Sequence, residues 1–322
     1  MKFLLWESTI LIWLAATPAI FAHASPAHGP SPALPTNWSE LSRAWEFEPG
    51  VVVPLLLSAL VYAVGTFRVW RTAGIGHGVS KQQAACFAAG WFALATALVS
   101  PLHRWGNMLF SVHMVQHEVL MLAAAPLLVL GRPLVAFLMA MPTTWAKAIS
   151  RTATAGAMSA LWGVLLHPMV AWFIHAVVLW AWHIPYLFQW AVHNEFVHAI
   201  QHLSFLLSAL MFWWAVVQDK YRAIGYGAGV LYMFSTALHS GMLGALITLA
   251  NRIWYPAYVA TAPIWGIEAL EDQQLGGLIM WAPACVVYIL AGLVLFAGWL
   301  RSAEERVVRW EAAHALHEEP TP

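Results

Sequence analysis

Residues 108–130 read MLFSVHMVQHEVLMLAAAPLLVL: 23 residues with no lysine or arginine and a single acid, Glu118. At a helical rise of ~1.5 Å per residue, one such stretch crosses the ~30 Å hydrocarbon core of a bilayer. Six further stretches share this character: 51–69, 83–100, 169–190, 197–217, 229–249 and 275–300. The chain therefore reads as an all-α integral membrane protein with seven transmembrane helices. Between the third and fourth stretches, Arg132-Pro133 and Pro142 interrupt residues 132–167, where a loop plus an interfacial helix is expected.

Composition agrees with this reading. Of 322 residues, 61% are hydrophobic and 9% charged, against roughly 25% charged in a soluble domain. Lys plus Arg and Asp plus Glu are equal at 15 each, so no basic excess exists to neutralise phosphates, and nucleic acid is excluded as a partner. Cys86 and Cys285 lie far apart in apolar stretches, which gives neither a disulfide framework nor a CxxC site. No glycine-rich phosphate loop or Ser-His-Asp pattern is present, and the protein is not expected to be an enzyme.

Met1-Lys2 precedes an apolar run, 3–21, that ends in Ala22-His23-Ala24. Residues 1–24 have the pattern of a cleaved signal peptide. An uncleaved first helix is the alternative, because the run is long and contains Glu7. Residues 25–49, with Pro26, Pro30, Pro32 and Pro35, read as an extended exported segment; 50–300 form the membrane domain and 301–322 a tail. Loops on one side of the seven spans, with the tail, hold eleven Lys and Arg, and those on the other hold Arg43, Arg104 and Arg252. By the positive-inside rule the N-terminus is outside and the C-terminus cytoplasmic.

Histidine, also at 15, equals the whole Lys and Arg complement. On that topology His113 and His117 of the third span, His183 of the fourth, and His198 and His202 of the fifth fall in one outer layer. The first two are spaced i, i+4, as are the last two, so each pair shares a helix face and can present two imidazoles to one metal. Histidine in hydrocarbon is costly unless paired or ligated. An all-imidazole set suits copper among the divalent ions. Two alternatives stand beside this: histidines bonded to neighbouring helices, and a haem or quinone oxidoreductase with His113 and His202 as axial ligands. Met114, Met121 and Met242 either hand on copper or simply pack. Glu118, ~100° around the helix from His117, is placed to orient a ligand rather than to be one, or else is a protonated carboxyl bonded to another helix. His103 and His193 fall in outer loops, and His175 and His239 nearer mid-membrane.

At these residues the sequence resembles the CtaG-like family of caa3-type cytochrome c oxidase assembly factors. The resemblance is carried by His113-Met-Val-Gln-His117 with Ala124 to Pro133, by Trp182-His183-Ile-Pro185, by His198-Ala-Ile-Gln-His202 leading to Phe212-Trp213-Trp214, and by Asp272-Gln-Gln-Leu-Gly-Gly-Leu-Ile-Met-Trp281. It implies a multi-pass protein of the bacterial inner membrane that aids maturation of a haem-copper oxidase subunit at its copper centre, with a periplasmic copper chaperone as a further partner. It also implies that Asp272 and Gln273 join the histidines as supporting residues. Ala125 and Glu118 depart from the family pattern, where a proline and an apolar residue are expected.

Overall fold

The computed structural model describes residues 35–217 and 225–315; the expected signal peptide and residues 25–34 of the segment after it lie outside these. Among the described residues the chain is helical, without strands. The helices are α1 Trp38–Leu41, α2 Pro49–Ala73, α3 Lys81–Val99, α4 Pro101–Gly106 and α5 Phe110–Leu130. There follow α6 Pro133–Ala140, α7 Thr143–Thr154, α8 Gly156–Leu165, α9 Pro168–Trp182, α10 Pro185–His193, α11 Glu195–Val217, α12 Gly225–Thr248 and α13 Ala269–Ala315. Six are long and apolar enough to cross a membrane, and the pair α8 and α9, bent by 64°, makes a seventh if counted as one broken span. This is a multi-pass membrane protein.

α5 is the most buried span and packs against α3, α11 and α13. Lipid supplies no hydrophobic drive for helices to associate, so close packing at small residues does so instead. A Cβ on Gly65 of α2 would sit 1.7 Å from the Ala136 carbonyl oxygen, and one on Gly277 of α13 would sit 2.8 Å from the Gly244 carbonyl oxygen of α12. Outward faces carry bare aliphatic side chains such as Leu56, Leu60, Leu238 and Leu293, as surfaces meeting acyl chains should.

Two expectations need correction. The fourth span does not run unbroken over 169–190. α9 ends at Trp182, Ile184 is extended and α10 starts at Pro185. Pro185 has no N–H for the helix ladder and bars the helical conformation from Ile184. Residues 132–167 are not mainly loop either, but three helices. α6 buries Leu134, Ala136 and Phe137 and is capped by Arg68, which donates to the Ala140 carbonyl at 2.6 Å. α7 has the interfacial character expected within this region, with Lys147 and Arg151 exposed and Ala153 buried. Arg132 takes the left-handed conformation (φ 46°) at the residue before Pro133, where the right-handed one is disfavoured. Within 25–49, Trp38–Leu41 forms a helical turn capped by the Asn37 side chain.

α5 contains a π-helical segment, Val119–Ala124, where the Ala125 N–H bonds the Leu120 carbonyl five residues back. The next residue in that register, Pro126, has no N–H for the Met121 carbonyl. Trp213 of α11 supplies it, its Nε1 donating to that oxygen at 2.9 Å. The wide turn thus separates the stretch bearing His113 and His117 from the AAPLLVL stretch below it, a position where π turns often accompany functional sites.

Candidate metal centre

The five expected histidines come together. Ring centroids lie 4.3 Å apart for His113 and His117, 4.2 Å for His198 and His202, 5.1 Å for His113 and His198, and 5.2 Å for His117 and His202. His183, the last residue of the α9 turn, is 6.3 Å from His117. One nitrogen each from His113, His198 and His202 falls within a common 4.8 Å. A metal bound at ~2 Å needs such nitrogens ~3.3 Å apart, a distance that small rotamer changes supply.

Six of the ten ring nitrogens are without partners. Nε2 of His113, His183, His198 and His202, and both nitrogens of His117, are buried with no hydrogen bond. Each such atom costs ~1–3 kcal/mol, which together is a substantial part of a stability margin of ~5–15 kcal/mol. A bound cation removes that cost, so the donor set fits one.

Neighbouring groups set the tautomers. His183 Nδ1 lies 2.7 Å from the Leu179 carbonyl; a carbonyl only accepts, so Nδ1 carries the proton and Nε2 offers a lone pair. Tyr258 donates its one proton to the Gly106 carbonyl at 3.3 Å, leaving its oxygen to accept from His113 Nδ1 at 3.2 Å. His113 Nε2 is again the free lone pair. Orientation of this kind is what ligating histidines require. Phe188 and Phe205 close around the rings, at 5.1 Å from His113 and 4.5 Å from His117.

Asp272 and Gln273 act through the scaffold. Asp272, fully buried, accepts from Phe110 N at 2.6 Å and Ser111 N at 3.1 Å, capping the start of the helix that carries His113 and His117. Gln273 accepts from Trp254 N at 2.6 Å and donates to the Arg252 carbonyl at 3.2 Å. It thereby holds the loop whose Tyr255 donates to the His183 carbonyl at 2.8 Å and whose Tyr258 orients His113.

The carboxyl of Glu118 is in electrostatic range of Cys285 and Tyr288 on α13, and its Oε2 is buried without a hydrogen bond. Met114 and Met121 are buried in the apolar core and Met242 is exposed outward. His175 bonds Ser208 at 3.1 Å, and His239 packs on Trp172; both stand apart from it.

His103, expected in an outer loop, stacks on His198 with centroids 5.3 Å apart. Its nitrogens are committed: Gln116 Nε2 donates to Nδ1 at 2.9 Å, and Nε2 faces the Glu46 carboxylate at 3.3 Å. Burial holds this imidazole down at about 4, so it is neutral at pH 7. Gln116 and Tyr258 also escaped the sequence reading. Gln116 lies within the HMVQH motif as a polar residue in a span, which is a usable signal; Tyr258, in a loop 145 residues from His113, offers none.

The sequence profile described as cytochrome c oxidase caa3 assembly factor matches residues 60–302. An uncharacterized protein of Mycobacterium leprae (strain TN) is 26% identical over 294 residues, covering 87% of this chain and 43% of the relative. An uncharacterized protein of Mycobacterium tuberculosis (strain CDC 1551 / Oshkosh) is 25% identical over 287 residues, with the same two coverages. The chain spans less than half the length of these curated relatives. No solved structure matches it.

Proposed function

Given that this chain belongs to the family of cytochrome c oxidase caa3 assembly factors, we propose that it holds a copper ion as cargo and delivers it to an oxidase subunit during assembly of the copper centre. The observation that carries this reading is the set of buried, unpartnered imidazole nitrogens contributed by α5, the end of α9 and α11. His113, His198 and His202 are the ligands, with His117 and His183 beside them as alternative donors during transfer. An all-imidazole set without thiolate favours copper over other divalent first-row ions by the Irving–Williams order. The loop charge bias supports placing the cluster on the outer side of a bacterial inner membrane, within reach of a periplasmic copper chaperone. The protein's own part is to bind and orient; no bond-making step is assigned to it.

The haem alternative is less well supported by the packing. Neighbouring imidazoles of α5 and α11 lie ring against ring at 4.2–5.9 Å, which favours a single ion over a porphyrin between them. Metal analysis of the purified full-length protein is expected to find one copper per chain. Each of His113→Ala and His202→Ala is expected to weaken binding at least ~100-fold, beyond what loss of an orienting partner costs. Absence of stoichiometric copper, or affinity unchanged in both variants, overturns the proposal. A haem band in the reduced-minus-oxidised spectrum would favour the alternative.

A further inference from the structure

A cavity of about 660 Å³ opens between the start of α2, α3, α4 and the first half of α11. Its mouth carries three carboxylates, Glu46, Glu48 and Glu195. Burial, with the like charges of Glu195 and Glu46, holds Glu48 above the ordinary carboxylate range. Glu46 is half-buried while Glu48 and Glu195 are exposed, so the mouth presents negative charge to a cation arriving from water. The positive charge closest to hand is Arg104, whose Nη1 is 3.0 Å from Glu46.

Further in, His198 and His202 form part of the wall; each is more than nine-tenths buried, and its unpartnered Nε2 is covered rather than open to the cavity. Beyond them the lining is aliphatic, with Leu55, Leu94, Leu120 and Leu206. A cation that passes the carboxylates meets His103, already committed to Gln116 and Glu46, and then the imidazoles of His198 and His202. An anion is repelled at the mouth. Glu46 and Glu48 also lie ahead of the stretch 60–302 that matches the family, so this mouth is partly outside it.

We infer that this cavity is the path by which the cation reaches the imidazoles, with Glu46, Glu48 and Glu195 as a collecting ring whose charge Arg104 moderates. The inference rests on the cluster binding a cation as proposed above. A carboxylate ring of this kind speeds capture by electrostatic steering without altering how many ions are held.

The test is the rate and the endpoint of Cu(II) uptake by the full-length detergent-solubilised protein, read from the colour of a weak chromophoric chelator that supplies the ion. The E46Q/E48Q/E195Q variant is expected to load roughly 10-fold more slowly at low salt, with a flatter salt dependence and the wild-type endpoint. R104Q, which removes the opposing charge, is expected to load about 2-fold faster. L203W, which fills the cavity, is expected to slow loading without changing the endpoint. The last two decide the matter if the triple variant does not fold. Wild-type rates and salt dependence in the charge variants, with full endpoints, overturn the route while leaving the site. A reduced endpoint in the triple variant makes the carboxylates ligands and overturns their collecting role. No uptake by the wild type overturns the site and the route together.

Discussion

Tyr258 illustrates how much of the centre depends on a single hydroxyl. Because it donates to the Gly106 carbonyl, its oxygen can only accept from His113 Nδ1, and the lone pair at Nε2 follows. Tyr258→Phe keeps the ring and removes the acceptor. Copper affinity is expected to fall ~10–100-fold with little change in fold, the range found for such orienting partners, and equilibrium titration against a chelator measures it. The five cluster histidines were legible because i, i+4 spacing fixes a helix face and rise fixes depth. His103 was not, since its approach to His198 depends on α4 folding back across the end of α3, which no local pattern encodes. Glu118 was legible as unusual but not as to its neighbours, because the side facing α13 is decided by packing between elements 150 residues apart in sequence.

At the scale of the helix, the π turn in α5 links a residue choice to a tertiary contact. Pro126 leaves the Met121 carbonyl without a donor, and Trp213 fills the place at 2.9 Å. Trp213→Phe is expected to cost ~1–3 kcal/mol, as for any buried polar atom left unpaired. Pro126→Ala restores a backbone N–H, so the two substitutions are expected to couple: the tryptophan loss is smaller in the alanine background by ~1 kcal/mol. Thermal unfolding of the four proteins in one detergent completes the cycle, and additivity would contradict this account. The spans themselves were readable from hydropathy alone. The break at His183 was signalled by Pro185 but outweighed by the surrounding apolar run. α6 looked like part of a loop because eight residues are too few for periodicity to register.

For the molecule as a whole, the loop charges predict a single orientation. Single cysteines in place of Glu46 and Gly76, in a background lacking Cys86 and Cys285, are expected to react oppositely with an impermeant thiol reagent added to intact cells: Glu46→Cys labels and Gly76→Cys does not. Labelling in the reverse order would invert the assignment. The α12–α13 pair, joined at Gly244 and Gly277, stands apart in one further respect. It supplies no imidazole to the cluster, yet its connecting loop and the start of α13 provide Tyr255, Tyr258, Asp272 and Gln273. The imidazoles and several of the groups that hold them thus reside on separate pieces of the chain. The His113 ring, the His183 carbonyl and the start of α5 are fastened together by a hairpin that carries none of the clustered histidines, so any ion held there would be secured in part from outside its own helices.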